Sequence, residues 1–251
     1  MRKIVGVNKC GTIANHIAYT DWDVGHDINA PSSGHLYTRD NPGEVFVKKI
    51  VVVTSAFFQI RRTILEFQLS ASLPQGMTIT GVNLKLHGQD VSGNEPTNLI
   101  AVKSTGSIGG GSDYPTGVDY YNFVGQEDGW DGDDAGTEVV KLSSEFGSSG
   151  STWNESDYNI IPFNSDGIAH VQSASDAIAS GGDGFSRLML MEFDHDFKDK
   201  TPTVTNDSYQ LSFIQSSGSN EPQLEIDYMS EKGNFHLKSG KMEVVNGKFE
   251  L

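Results

Sequence analysis

Apolar and polar residues alternate along three stretches that lie far apart in this chain, and nothing else in the sequence limits the fold as much. In residues 61–70, Leu65, Phe67 and Leu69 fall on one side of an extended backbone. In 77–87 Val82, Leu84 and Leu86 do the same, and in 220–228 so do Leu224, Ile226 and Tyr228. A repeat of two marks a strand with one dry and one wet face. Leu73-Pro74-Gln75-Gly76 is a turn composition, so 61–70 and 77–87 read as a hairpin. That hairpin and 220–228 read as the two ends of one sheet. A dry sheet face needs a second layer over it.

The rest of the chain supports many short strands. There are 251 residues and 28 glycines. A chain of this length hides roughly 70–75% of its unfolded surface. Residues 1–44 are turn-rich and read as an N-terminal arm with its first short strands. Residues 45–229 read as the main domain. Val45 to Val53 is rich in strand formers. Residues 104–136 are a long glycine-rich excursion carrying Asp and Tyr, the kind of segment that is commonly functional. A short strand is expected at 137–142 and a serine-glycine loop at 143–151.

One helix is expected. Asp166-Gly167 caps a stretch in which Ile168, Val171, Ala174 and Ile178 fall at helical spacing, and Gly181-Gly182 ends it. Residues 187–193 are apolar on both faces and read as a central strand covered on both sides. Tyr209, Leu211 and Phe213 alternate again. Strands, one helix and more strands, with no βαβ rhythm, predict an all-β antiparallel β-sandwich of jelly-roll type.

Residues 230–251 differ. Gly233, Gly240 and Gly247 recur every seven residues. Phe235, Met242 and Phe249 share one repeat position; Leu237, Val244 and Leu251 share another. Each unit reads as a short strand closed by a turn. Three such strands bury little alone. They either pack on the parent domain or assemble with copies from other chains, as a homo-oligomer in which a trimer is one option.

Charge and cysteine content narrow the partners. The net charge of −15 opposes nucleic acid and anionic membrane surfaces. Cys10 is the single cysteine, so no internal disulfide forms. The apolar run at the start is too short for a signal peptide, and no stretch is long enough to span a membrane. The expectation is a chain made in a cytoplasm.

Taken together, residues 61–69, the Leu73-Pro74-Gln75-Gly76 turn, the strand at 79–86, Gly184-Phe185 with its apolar strand, and Glu221-Pro222-Gln223-Leu224-Glu225-Ile226-Asp227-Tyr228 resemble a family. It is that of the DNRLRE-type jelly-roll domains, non-catalytic β-sandwiches related to carbohydrate-binding modules. The order of elements matches over residues 20–229, and two stretches match closely. Gln68 stands where the family usually has Asp, and Glu221 where it often has Arg. Such domains occur in wall-associated secreted proteins and in bacteriophage virions. The absent signal, the small chain and the repeated β-tail favour the virion. The resemblance therefore implies a capsid- or tail-decorating structural protein that catalyses nothing and contacts other virion proteins. A carbohydrate-binding adhesin is the alternative, and a polysaccharide depolymerase a more remote one.

Candidate sites follow from residue type. The loop Glu127-Asp128-Gly129-Trp130-Asp131-Gly132-Asp133-Asp134 offers carboxylates between glycines, the donor set for calcium, at Asp128, Asp131, Asp133 and Asp134. A plain solvated loop is the competing reading. Asp194, Asp196 and Asp199 around His195 form a second, weaker acidic cluster. Calcium is the one cofactor with any signal. Tyr114, Tyr120, Tyr121 and Trp130 form a candidate rim for surface glycans, because amphipathic rings stack on sugars. Trp22 and Trp153 read as caps over a core. The seven histidines lack the spacing of a metal helix, and no nucleophile elbow, phosphate-cradling loop or paired-cysteine zinc pattern is present.

Overall fold

The computed structural model describes residues 1–19, 35–37, 43–52, 55–69, 73–74, 76–91, 95–104, 139–147, 153–203, 208–214, 218–230, 236–238, 241–245 and 248–250. The chain begins with β1 (Arg2–Gly6), β2 (Lys9–Tyr19), β3 (His35–Tyr37), β4 (Gly43–Val52), β5 (Ser55–Gln68), β6 (Met77–Asp90) and β7 (Asn98–Lys103). It continues through β8 (Phe146–Gly147), β9 (Tyr158–Pro162), α1 (Ser165–Ala179), β10 (Phe185–Glu192), a single π-helical turn (Phe193–Phe197), β11 (Ser208–Phe213) and β12 (Gln223–Ser230). Three short strands follow: β13 (His236–Lys238), β14 (Lys241–Val245) and β15 (Lys248–Glu250).

The strands form an antiparallel all-β sandwich. The front layer runs β1-β12-β6-β9. In the back layer β5 is central. It has β2 along one edge, while β4 and β10 share the other end to end. Beyond β10 come β7 and β8; beyond β4 comes β11. The layers join where β11 also meets β6, at Ser212↔Asp90 and Phe213↔Gly88. Residues 1–19 are woven into both layers, through β1 in front and β2 behind.

The core lies between the layers. Val82, Leu84, Leu86, Leu224, Ile226 and Ile161 come from the front; Leu65, Phe67, Leu69, Leu188, Leu190 and Phe213 come from the back. Apart from Ile161, and from Leu188 and Leu190 in the run read as apolar on both faces, these are the alternating positions that the sequence marks as dry. The expected hairpin is not there. β5 pairs with β2, β4 and β10, and β6 pairs with β9, β11 and β12. The turn after β5 carries the chain across the core, with Leu73 buried in it. β12 lies in the other layer from β5, yet the hydrogen-bonded strands β6, β11 and β4 link the two, and only β1 lies beyond β12. Alternation reports that a strand has a dry face; it does not report which strand lies beside it.

Residues 187–193 behave as read. Leu188, Met189, Leu190 and Met191 are all fully buried, and β10 lies between β5 and β7. α1 also forms, and Ile168, Val171, Ala174 and Ile178 face the core. It starts earlier than the Asp166-Gly167 cap predicts. Asn164 is the N-cap, its Oδ1 accepting from Gly167 N at 2.9 Å. Gly167 instead meets a packing need: a Cβ there would lie 2.4 Å from the Leu142 carbonyl oxygen. Gly181, at φ +79°, closes the helix as expected. Gln172 ties α1 to the sandwich, accepting from Ile79 N at 2.8 Å and donating to Met77 O at 3.1 Å.

Candidate functional site

A buried ion pair dominates the chemistry of the back layer. Arg62 on β5 and Asp196 in the π-helical turn are both fully buried. Arg62 Nε lies 3.1 and 3.0 Å from the two carboxylate oxygens, and Nη2 lies 2.6 Å from Oδ1. Such a forked pair fixes geometry as well as charge. It fastens the chain after β10 to the side of β5 turned away from the core of Leu65 and Phe67.

Glu192 at the end of β10 organises the same turn. Its carboxylate accepts from the backbone N–H groups of Asp194 (2.9 Å), His195 (2.6 Å) and Asp196 (3.1 Å). Burial nevertheless outweighs those donors and pushes the carboxyl up to about 8. His195 Nδ1 lies 2.6 Å from the Lys200 carbonyl oxygen, so that nitrogen carries the proton. The imidazole rests on Tyr209 with centroids 4.2 Å apart.

This arrangement overturns the second acidic cluster as a metal site. Asp196 is committed to Arg62, and Asp194 accepts from Lys198 at 3.3 Å. Among the described residues no group of three or more His, Cys, Asp or Glu is placed to hold a metal ion. Of the acids read as ligands, Asp196 forms the buried pair and Asp194 a surface pair, while the capping carboxylate is Glu192.

The front layer offers a different surface. Along β6, β9 and β12 exposed or half-exposed residues alternate with buried ones. By register, β1, β12, β6 and β9 bring Ile4, Glu225, Asn83 and Pro162 into one row, and Gly6, Gln223, Lys85 and Ile160 into the next. Asn83 donates to Glu225 at 3.1 Å, and Arg2 lies 3.3 Å from the same carboxylate. Arg2 also clamps Asp227 through Nε (2.8 Å) and Nη2 (2.9 Å), and these bonds hold that carboxyl below its usual range. Tyr158 is fixed at the other end. Its hydroxyl donates to Ser219 O at 2.7 Å, Lys85 sits 4.7 Å from its ring centroid, and His87 meets it edge-on.

Tyr114, Tyr120, Tyr121 and Trp130, and the carboxylates Asp128, Asp131, Asp133 and Asp134, lie outside the described residues, as do Trp22, Phe235 and Leu251. The base of the segment that carries the rim and the acidic loop is described. Lys103 N donates to Val140 O at 2.8 Å, and Leu142 N to Ala101 O at 2.8 Å. The described residues on either side, 101–103 and 140–142, therefore lie side by side in the back layer. Trp153 is buried in the core and meets Phe146 edge-on at 6.4 Å, the capping role read for it.

The repeat at the C-terminus forms its own sheet, β13-β14-β15. The register pairs Leu237 with Met242 and Val244 with Phe249. Since Met242 and Val244 are two residues apart, all four positions fall on one face. His236, Lys238, Lys241, Glu243, Val245, Lys248 and Glu250 fall on the other.

The sequence reading missed Arg62, Glu192 and Asp196 as a unit. One signal was present: Glu192 follows Leu188-Met189-Leu190-Met191, a run apolar on both faces, where a charge needs a partner.

No family model matches the chain, and no curated protein matches it. No helix among the described residues is long and apolar enough to cross a membrane.

Proposed function

We propose that this chain is a non-catalytic structural protein of a virus particle, a sandwich that decorates the capsid or tail and joins copies of itself through its C-terminal strands. The observation that supports this best is the tail sheet. Among the described residues β13, β14 and β15 pair only with one another. A meander of three- to five-residue strands with four apolar positions on one face is marginal in water by itself. Association of tails from several copies covers those positions. The charged face is then left to water. Removing residues 231–251 and measuring mass in solution tests this. A lower oligomeric state is expected; an unchanged one contradicts the assembly role. Copurification of the full chain with virus particles tests the location.

A second reading, a glycan-binding module, is favoured by the pairing of residues 101–103 with 140–142, the described chain on either side of the candidate rim. A loop presented from a fixed frame is a common way to build a binding rim. Here Tyr114, Tyr120, Tyr121 and Trp130 stack on sugars, and Asp128, Asp131, Asp133 and Asp134 hold a calcium ion. Binding on a glycan array that is lost in Tyr120→Ala and Trp130→Ala supports it. Equilibrium dialysis that finds no bound calcium near neutral pH removes the metal.

A further inference from the structure

The outer edge of the front layer carries backbone groups that no described strand pairs with. On its inner side β1 is bonded to β12: Met1 N donates to Tyr228 O (2.8 Å), Tyr228 N to Met1 O (2.9 Å), and Val7 N to Pro222 O (2.9 Å). In an antiparallel ladder bonded residues alternate, so Arg2, Ile4 and Gly6 aim their N–H and C=O groups away from β12. No strand among the described residues occupies that side. Ile4, in the middle of the edge, is an apolar residue left 48% exposed.

We propose that β1 pairs antiparallel with β1 of a second copy of this chain, about a two-fold axis at Ile4. The argument for a second copy is self-complementarity. In this register Ile4 faces the partner's Ile4, and the two exposed apolar side chains cover each other. Arg2 faces the partner's Gly6. The Glu221 carboxylate lies over Gly6, so close that a Cβ there would sit 2.1 Å from Oε1. Each Arg2 therefore comes beside the partner's Glu221, and the two-fold makes this contact twice. Lys3 faces the partner's Val5, so no cation meets its own copy. Two chains of net charge −15 repel at long range, and this edge is where each places cations against the other's carboxylate. Three residue pairs exchange about six backbone hydrogen bonds and extend the front layer across both copies. The site is separate from the C-terminal strands and does not rest on their role.

Cross-linking in the full chain reads the register directly. Residues facing each other as a bonded antiparallel pair have Cα atoms about 5.5 Å apart, inside the range a disulfide spans. Cys10 is buried, which keeps background low. Under mild oxidation Ile4→Cys should give a reducible covalent dimer about tenfold faster than Lys3→Cys, because only residue 4 meets itself within disulfide reach. Equal yields from the two variants overturn the proposal. Ile4→Pro provides the second arm. It removes an N–H that points off the edge and leaves the β12 ladder intact. At concentrations where the parent associates, sedimentation should show its mass halved. An unchanged mass overturns the proposal. Should Ile4→Pro halve the mass while loss of residues 231–251 changes nothing, the edge pairing stands and the tail reading fails.

Discussion

The two layers of this sandwich are made from the same kind of strand but meet water differently. The front layer has one buried face; β6 runs buried, exposed, buried for most of its length. In the back layer β10 is buried from Leu188 to Glu192, and Arg62, Ile64 and Glu66 of β5 are buried along with Leu65 and Phe67. The lesson is that a second cover changes the rules for polar groups. On the front face Arg2, Asp227 and Glu225 pair in solvent, where pairing contributes little. On the back, Arg62 and Asp196 pair out of water, where either one alone is costly. The sealed layer stores stability and the open one leaves surface for partners.

The sharpest way to break this comparison is to put the same charge on both outer faces. Met189→Lys on β10 should cost upwards of about 4 kcal/mol and abolish soluble folded protein, since the ammonium has no partner there. Ile160→Lys on β9, 51% exposed in the parent, should stay within about 0.5 kcal/mol of it. Denaturant titration reads both. Similar costs at the two sites would erase the distinction between the layers.

Next in size is the buried pair. Asp196→Ala strands the Arg62 guanidinium and should cost about 3–5 kcal/mol. Replacing both partners together, Arg62→Met with Asp196→Leu, should recover most of that loss. A double variant no better than the single would show that the pair does more than balance charge.

The buried Glu192 of the back layer also predicts a pH dependence. The Glu192 carboxyl sits at about 8 when folded, against 4.5 for an unperturbed one. The folded chain thus holds a proton that the unfolded chain releases first. This contribution to stability is complete below pH 4.5 and is lost as pH rises through about 8, by about 1 kcal/mol per pH unit between. Glu192→Gln should flatten that limb. His170 runs the other way. Burial first, then Lys103, pushes it down to about 4, so its contribution is present above pH 6.5 and lost as pH falls through about 4. Thermal melts from pH 4 to pH 9 on the parent and Glu192→Gln separate the two.

The smallest effect belongs to the front face. Asp227→Ala removes the clamp on Arg2 yet should leave the melting midpoint close to that of the parent, and added salt should remove any remaining difference.

How much of this was readable in the sequence follows from which interactions are local. The dry positions of β6 and β12, the apolar face of α1 and the double burial of β10 are set by spacing along one segment, and spacing is what a sequence displays. The assignment of β5 and β6 to opposite layers is not local. A proline-glycine turn joins a hairpin and a crossover equally well, and here Leu73 buried under the turn goes with the crossover. The Arg62–Asp196 pair spans 134 residues of sequence. Nothing near either residue names the other. The acids at 194, 196 and 199 misled because type and proximity were read as ligand geometry. The Glu192 cap and the Arg62 pair had already claimed the groups that mattered.

Thiol reactivity tests the two-layer account most directly. In a Cys10→Ser background, Ile160→Cys and Met189→Cys each place one thiol on an outward-facing position, one per layer. The account predicts that the residue 160 thiol reacts with a water-soluble maleimide as fast as an unfolded control, while the residue 189 thiol reacts only as the chain unfolds. Comparable native-state rates at the two positions would contradict it.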